Sequence, residues 1–290
     1  MMKLKVAILG TGNIGTDLLV KIQRSKLLTC SIFSGQREDS PGIKMAKSMG
    51  VNTSIESLRA VQNDPNSCDI LFDATSADAH RIHAPMLKKL GKFTIDMTPS
   101  SVGKMCIPII NMEDCLKAKN INMISCGGQD TIPIVKAILD VHPETQYIEI
   151  VSHIASRSAG MGTRDNIDEY TQTTCDGIRL FTHVPKAKAI IILNPAEPPI
   201  IMHNTIFAQI QNPNLKLLKS QIISIVNKIR NYVPGYRLTL GPIYENGHLT
   251  VMNEVEGSGD YLPKYAGNLD IINCAAVEVA EEYAKCRLEK

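Results

Sequence analysis

A surplus of charge of either sign is the first thing this chain lacks. Its 290 residues carry 31 lysines and arginines against 29 aspartates and glutamates, a formal balance of +2. No electrostatic footprint for nucleic acid or an anionic membrane follows from that balance. Aromatic residues make up only 4%, and no basic run or aromatic platform interrupts the sequence, so no nucleic-acid partner is expected. No apolar stretch approaches the roughly 18 residues a membrane span needs. The opening MMKLKVAILGTG meets glycines before it has the length or small-residue cleavage site of a signal peptide. A soluble, cytoplasmic protein is expected. The cysteines, Cys30, Cys68, Cys106, Cys115, Cys126, Cys175, Cys274 and Cys286, are scattered and form no C-x-x-C pair. Neither a disulfide framework nor a metal site is therefore expected. What remains is an ordinary globular composition, 44% hydrophobic and 21% charged, long enough for two domains.

Over the first 125 or so residues, short apolar runs alternate with helical patterns, the signature of a parallel sheet flanked by helices. Leu4 to Leu9, Leu27 to Phe33, Ile70 to Phe72, Phe93 to Ile95 and Ile121 to Ser125 read as strands. The stretch to Arg24, Ile43 to Met49 and Ala77 to Leu90 read as helices. Beyond, Tyr147 to Ala155, Ala189 to Leu193, Ile200 to Phe207, Tyr236 to Leu240 and Leu249 to Val255 suggest a mixed or antiparallel sheet. Leu215 to Tyr232 and Asn268 to Lys285 carry apolar residues at helical spacing. The expected fold is α/β: an N-terminal Rossmann doubly wound parallel sheet with a second α+β catalytic and dimerisation domain. The expected domains are 1–128 for the dinucleotide, 129–267 for catalysis and dimerisation, and 268–290 as a C-terminal helix returning to the Rossmann domain.

Gly10, Gly12 and Gly15 form a complete G-x-G-x-x-G between a strand and a helix. The first glycine suits the tight turn, the second lets the backbone approach a pyrophosphate, and the third allows close helix–strand packing. The helix N-terminus offers free N–H groups to the anion. Past the second strand the fingerprint calls for an acid to hold the ribose, but the chain reads Ser34-Gly35-Gln36-Arg37-Glu38-Asp39. Arg37 at such a place can accept a 2′-phosphate, which would admit NADP, or the segment is a solvated loop with Gln36 in place of the acid. Both readings stay open.

Cys126 lies in Ser125-Cys126-Gly127-Gly128-Gln129-Asp130-Thr131-Ile132-Pro133. A strand runs into it, and the residues after Thr131 read as a helix with Pro133 in its first turn. A thiol beside a helix N-terminus has its ionisation favoured, and the same amides can stabilise an oxyanion. The glycines would leave room for substrate. Cys175 and Cys274 fall in helical patterns and read as core. A nucleophilic cysteine beside a nicotinamide suits aldehyde oxidation: thiolate attack, hydride departure, and a thioester released by water, phosphate or a thiol.

The strings KVAILGTGNIGTDL, FDATSA, ISCGGQDTIP, SRSAGMGTRDNIDEYT, NPAEPPIIM, YVPGYRL and YLPKYAGNLDI, in this order over nearly the whole chain, resemble those of the acylating acetaldehyde dehydrogenases of aromatic meta-cleavage pathways. The resemblance implies a homodimer that makes acetyl-CoA from acetaldehyde, NAD and coenzyme A, with Cys126 as the acyl-thioester residue. It implies cofactor contacts from Thr11, Gly12, Asn13 and Ile14, from Ser158, Ala159, Gly160, Met161, Gly162, Thr163, Arg164, Asp165 and Asn166, and from Asn268. It also implies a 4-hydroxy-2-oxoacid aldolase partner.

Three departures stand against it. The acid after the second strand is missing, which puts strict NAD use in doubt. The family string MRDT appears as Met202-His203-Asn204-Thr205, so Asn204 replaces an aspartate proposed to assist the cysteine and cannot itself act as a carboxylate base. The segment between PGYRL and EVEG is also shorter than usual, a lost loop near the substrate mouth or a protein contact. Two other classes remain: an acyl-phosphate reductase of the aspartate-semialdehyde kind, with His153 or His203 as catalytic histidine, and an inactive dinucleotide-binding subunit of an aldolase complex.

Overall fold

A computed structural model describes residues 3–289. It forms two compact units: the residues up to Ile124 together with those from Ile272 onward, and Ser125–Ile271. The first unit runs β1 (Leu4–Leu9), α1 (Asn13–Arg24), β2 (Leu28–Ser34), α2 (Pro41–Ser48), β3 (Thr53–Ser54), α3 (Arg59–Asn63), β4 (Ile70–Asp73), α4 (Ala77–Lys89), β5 (Phe93–Asp96), β6 (Lys104–Met105), α5 (Pro108–Leu116) and β7 (Asn120–Asn122). These strands form one sheet in the order β3-β2-β1-β4-β5-β7-β6, with every pair parallel. Continuous apolar runs build it because both faces are covered: Val6 to Leu9 and Ile70 to Phe72 are wholly buried. Each Val, Ile, Leu or Phe among them contributes about 1.5–3 kcal/mol of transfer free energy. Ser40 and Ser76 start α2 and α4 by accepting the amides of Ile43 and Ala79. The strand order reverses between β1 and β4, and such a switch point is where open α/β sheets bind ligands.

Sequence pattern carried the last strand of this sheet to Ser125, yet β7 stops at Asn122. The Asn122 side-chain oxygen accepts the Ile124 amide at 2.8 Å, and Ile124 turns left-handed at φ 65°. This asparagine turn ends the strand, and the second unit begins at the next residue. The expected boundaries at 128 and 268 thus become 124/125 and 271/272, because Cys126, Gly127 and Gly128 are already helical.

The second unit runs α6 (Cys126–Val141), β8 (Tyr147–Ala155), α7 (Met161–Asp165), α8 (Ile167–Thr182), β9 (Lys186–Asn194), β10 (Met202–Gln209), α9 (Leu215–Ile229), β11 (Tyr236–Glu245), β12 (His248–Val255) and the start of α10 (Gly267–Leu288). Its sheet has the order β11-β12-β10-β8-β9, antiparallel apart from β8 and β9. That parallel pair is joined by a helical crossover, as parallel neighbours require. In β8 and β10 alternate residues are buried, Ile148, Ile150, Ser152 and Ile154 on one strand and Met202, Asn204, Ile206 and Ala208 on the other. β11 and β12 meet in a two-residue Asn246-Gly247 turn with both φ positive, 50° and 83°. That hairpin geometry accounts for the short segment noted in the sequence, since no loop is left there to project.

From residue 272, α10 belongs to the first unit. Asn273 donates to the Ile14 carbonyl at 3.1 Å and to Asp17 at 2.8 Å, Ser25 donates to Glu281 at 2.5 Å, and Tyr283 stacks on Phe93 at 4.0 Å. No helix among the described residues is long and apolar enough to cross a membrane.

Candidate active site

The glycine turn between β1 and α1 has the form a dinucleotide needs. Gly10 sits at φ 102°, and a side chain there would meet the Ala74 carbonyl at 2.2 Å. A side chain at Gly15 would meet the Gly10 carbonyl at 1.9 Å, so the third glycine lets helix and strand touch. At Gly12 a side chain would enter open space with nothing within 4 Å. This position is the N-cap of α1 and supplies no side-chain cap, so the amides of Asn13 and Ile14 open a bare helix terminus on that space. The residues present therefore fit a pyrophosphate. Thr11 packs away from it: its hydroxyl accepts from Ser40 at 3.1 Å, and a side chain at Gly35 would meet it at 2.6 Å.

At the end of β2 no acid takes the ribose position. Ser34 is buried and donates to the Ser57 carbonyl at 3.0 Å. Arg37 is exposed and forks onto Asp39, Nε to Oδ1 at 3.1 Å and Nη2 to Oδ2 at 3.0 Å. The hydrogen bond and charge of Arg37 hold the Asp39 carboxyl below the usual range.

The second unit holds the thiol. Helix α6 starts at Cys126 itself, six residues before the expected start, because Ser125 caps it by accepting the Gly128 amide at 2.9 Å. Pro133 accordingly stands inside the helix, where it has no amide of its own to offer the Gln129 carbonyl. With the Gly128 and Gln129 amides bonded to Ser125 at 2.9 Å each, the Cys126 and Gly127 amides are those left at the terminus to face a developing anion.

Cys126 Sγ lies 3.9 Å from the Tyr170 hydroxyl of α8. Gly127 serves that contact rather than substrate entry: a side chain there would meet the Tyr170 hydroxyl at 2.1 Å and Ser152 Oγ at 2.8 Å. Enclosure dominates the thiol's ionisation. Burial pushes it up to about 11, against the lowering by Tyr170 and the Gly127 amide, so the helix terminus alone does not give a free thiolate. Tyr170→Phe removes the hydroxyl that bonds the thiolate and should slow iodoacetamide alkylation of Cys126 about tenfold, for a charge-assisted bond of about 1.5 kcal/mol. An unchanged rate would show that Tyr170 only fills space.

Asn204 does not reach the sulfur. Buried in β10, it donates its Nδ2 to Asp130, one helical turn after Cys126. Asn253 of β12 donates to the other Asp130 oxygen, and Tyr236 of β11 donates to the Asp130 main-chain carbonyl at 2.8 Å. Burial pushes the Asp130 carboxyl up to about 7, against the lowering by Asn253, Tyr236 and Asn204. Asp130 lay inside the GGQD string without a role, and Tyr170 and Asn253 had none either. Only the i, i+4 spacing of Cys126 and Asp130 could have signalled the pairing.

The loop after β8 braces itself. Ser158 donates to the Ala155 carbonyl at 2.8 Å, and Asn166 donates to the Gly162 carbonyl at 2.6 Å. Arg164 turns back onto the Ala159 carbonyl at 3.1 Å and onto the Ser156 carbonyl and hydroxyl at 2.9 Å each. Gly160 caps α7 without a side chain, Gly162 and Asp165 are exposed, and the Met161 side chain lies outside the described residues. Asn268, in the first turn of α10, is buried, with its Oδ1 lacking a hydrogen-bond partner among the described residues. His153 and His203 pair across β8 and β10 and stack at 4.5 Å. They alternate with the buried Ser152 and Asn204 and so lie on the face of the sheet opposite the Cys126 surroundings. A catalytic-histidine reading gains nothing from them. Among the described residues no cluster of ligands could hold a metal.

Two family models match this chain. One is described as semialdehyde dehydrogenase, NAD binding domain, over residues 5–115. The other is described as prokaryotic acetaldehyde dehydrogenase, dimerisation, over residues 126–263. Acetaldehyde dehydrogenase of Pectobacterium atrosepticum is 51% identical over 290 residues, covering 99% of this chain and 98% of that protein. Acetaldehyde dehydrogenase of Spirochaeta aurantia is 50% identical, covering 99% of this chain and 97% of that protein. Among solved structures, aspartate semialdehyde dehydrogenase II of Vibrio cholerae, complexed with ASA, superposes with a TM-score of 0.63 at 15% identity, covering 99% of both chains. A probable aspartate-semialdehyde dehydrogenase of Pseudomonas aeruginosa gives 0.64 at 13% identity, covering 97% of this chain and 98% of that one. At such identities the likeness is one of fold.

Proposed function

Because this chain belongs to the acetaldehyde dehydrogenase family, we propose that it oxidises acetaldehyde, or a similarly short aliphatic aldehyde, to acetyl-CoA through a thioester on Cys126. The observation that carries the reading is a cysteine at the first position of a capped helix, with a tyrosine hydroxyl 3.9 Å from its sulfur. Cys126 sulfur bonds to the aldehyde carbon, while the Gly127 amide and Tyr170 hold the negative charge that moves to oxygen. Bound NAD supplies the acceptor for the hydride that leaves this carbon. Coenzyme A is the thiol that releases the acyl group and frees Cys126. The open space at Gly12 and the bare α1 terminus would hold the pyrophosphate. The family resemblance would also give the Ser158–Asn166 loop and Asn268 contacts to the cofactor, and the buried Asn268 oxygen, without a partner among the described residues, is free to accept a hydrogen bond.

NAD rather than NADP is the coenzyme this reading favours, since Asp39 occupies the guanidinium of Arg37, just past the end of β2, and adds a negative charge beside it. Asp39→Ala should free Arg37 for a 2′-phosphate and raise the NADP/NAD ratio of kcat/KM about tenfold. An unmoved ratio would place Arg37 outside the coenzyme site.

The sheet of the second unit has α6, α8 and α9 on one face. Its other face, with the half-buried Val151, Phe207 and Met252 and the exposed Ile192 and Ile243, suits a homodimer contact. The family resemblance implies a place in aromatic catabolism and a 4-hydroxy-2-oxoacid aldolase partner, and the cytoplasmic setting stays the expectation drawn from the sequence. The test is purified protein with acetaldehyde, coenzyme A and NAD. Acetyl-CoA and NADH in equal amounts are expected; acetate with NADH would make water the acceptor, and no reduced coenzyme with either NAD or NADP would overturn the reading.

A further inference from the structure

Two neutral amides converge on one buried carboxylate beside the thiol. Asp130 follows Cys126 by four residues in α6, so both project from the same side of the helix. Its oxygens each receive one side-chain amide, Oδ2 from Asn204 and Oδ1 from Asn253. Among the described residues no lysine, arginine or histidine is bonded to it. A wholly buried carboxylate without a cation costs several kcal/mol, and an apolar side chain would pack there at lower cost. A purely structural role therefore explains it poorly.

We infer that Asp130 is the group that takes the Cys126 proton as the thiolate forms, so that the two together carry one negative charge throughout. The inference rests on the thioester reading of Cys126 and deepens it. In the step, the S–H bond of Cys126 breaks, its electron pair stays on sulfur, and an O–H bond forms on the Asp130 carboxylate. Nothing is oxidised.

The surroundings can accommodate both protonation states. With Asp130 ionised, each amide turns its NH2 inward, and Asn204 Oδ1 and Asn253 Oδ1 are left without partners. Once Asp130 is protonated its O–H needs an acceptor, and rotation of either amide supplies one of those oxygens. The titratable groups around it are Cys126 on its own helix, Tyr170 of α8 beyond the sulfur, and Tyr236 of β11. β8 presents Ser152, β10 and β12 present Asn204 and Asn253, and the buried residues of α9 are Leu218, Ile222, Val226 and Ile229. Burial places the Asp130 carboxyl at about 7, where it can both accept and return a proton near neutrality. Its charge in turn is one of the influences holding the Cys126 thiol up.

The test follows the rate of Cys126 alkylation by iodoacetamide, by intact mass, between about pH 5.5 and 9.5. In the wild type the logarithm of the rate should rise with pH and bend toward a plateau near 7. In Asp130→Asn it should rise without a bend and exceed the wild type above that pH, because the neighbouring charge is gone. Acetaldehyde oxidation by the same variant should fall about a hundredfold, as for loss of a general base. Faster alkylation with slower turnover is not what a damaged fold produces. The double variant D130N/N204D moves the carboxylate across the existing hydrogen bond and should restore the bend. A wild-type plot without a bend overturns the inference, as does a bend that survives in Asp130→Asn. The wild-type plot needs no variant to fold. If the bend depends on Asp130 but the wild type oxidises no aldehyde, the proton sharing stands and the activity reading falls.

Discussion

Cys126→Ser should abolish aldehyde-dependent NADH formation, by a factor on the order of 10⁴ or more, as when a nucleophile is removed outright. Serine is close to isosteric, so Ser125 still caps α6 and the hydroxyl still has Tyr170 within reach. What is lost is the atom. A serine hydroxyl ionises far above a thiol, and even the thiol here is pushed up to about 11 by burial, so the variant has no usable anion near neutrality. The dinucleotide turn belongs to the other unit, and NAD binding should be unchanged when measured by fluorescence quenching of NADH. The acyl-enzyme adduct expected by mass spectrometry in the wild type should be missing. Cys286, exposed on α10, provides the control: Cys286→Ser should turn over as the wild type does. Residual activity of the Cys126→Ser protein above about 1% would mean that another group forms the bond to the aldehyde.

The parts of this protein that could be read in its sequence are those where one short string dictates one local conformation. Gly10 needs its left-handed φ, Gly15 needs its close approach, and the apolar runs of β1 and β4 need both faces covered. Those demands are local, so the dinucleotide turn and the parallel sheet were legible. Cys126 could be singled out for the same reason, although the cap that starts its helix is Ser125, and the pattern had put the start after Thr131. The rest of the site depends on pairings across the fold. Tyr170 reaches the sulfur from 44 residues away, and Asn253 reaches Asp130 from 123 residues away. No periodicity in the chain points from one to the other. Burial is equally invisible in a string, and it decides here: the helix terminus suggested an easily ionised thiol, yet enclosure outweighs it. Asn204 shows the same limit. Its chemistry as an amide was legible, but not that its partner is a carboxylate.

His80→Leu should cost the first unit about 3–5 kcal/mol at pH 7, the range for removing one partner from a buried charged group. His80 is wholly buried on α4, between the carboxylates that end β4 and β5. Its Nδ1 lies 2.9 Å from Asp73, and its Nε2 lies 3.5 Å from Asp96 and 3.0 Å from the Asn120 side-chain amide. Burial alone would lower the ring's ionisation, but Asp73 and Asp96 raise it. Burial alone would likewise raise Asp73, but His80 and the nearby His83, 2.8 Å away, hold it well below the carboxylate range. Asp96 comes out the other way, pushed up to about 6 by burial against the charge of His80 and the bonds from Ser100 and Thr98.

The signs fix the pH window. The Asp73 contribution is present above the ordinary aspartate value and is lost as pH falls through its depressed one. The His80 contribution is present below the ordinary histidine value of about 6.5 and fades as pH rises through its elevated one. Ionising Asp96 in the fold removes stability as pH climbs from the ordinary aspartate value toward 6. In His80→Leu, Asp73 keeps only His83 and Asp96 loses its cation, so both carboxyls ionise at higher pH than before. Loss of the histidine contribution alone would weigh more at pH 5, but both carboxyls, ionising at higher pH in the variant, penalise it increasingly as pH rises, so the net deficit should be larger at pH 7 than at pH 5. Urea unfolding at the two pH values measures it, with Arg81→Ala, which breaks an exposed pair with Asp78, as a variant expected to leave the midpoint in place. A loss below about 1 kcal/mol at pH 7 would mean that the two carboxylates are held by Ser100, Asn122 and Thr75 without need of the ring.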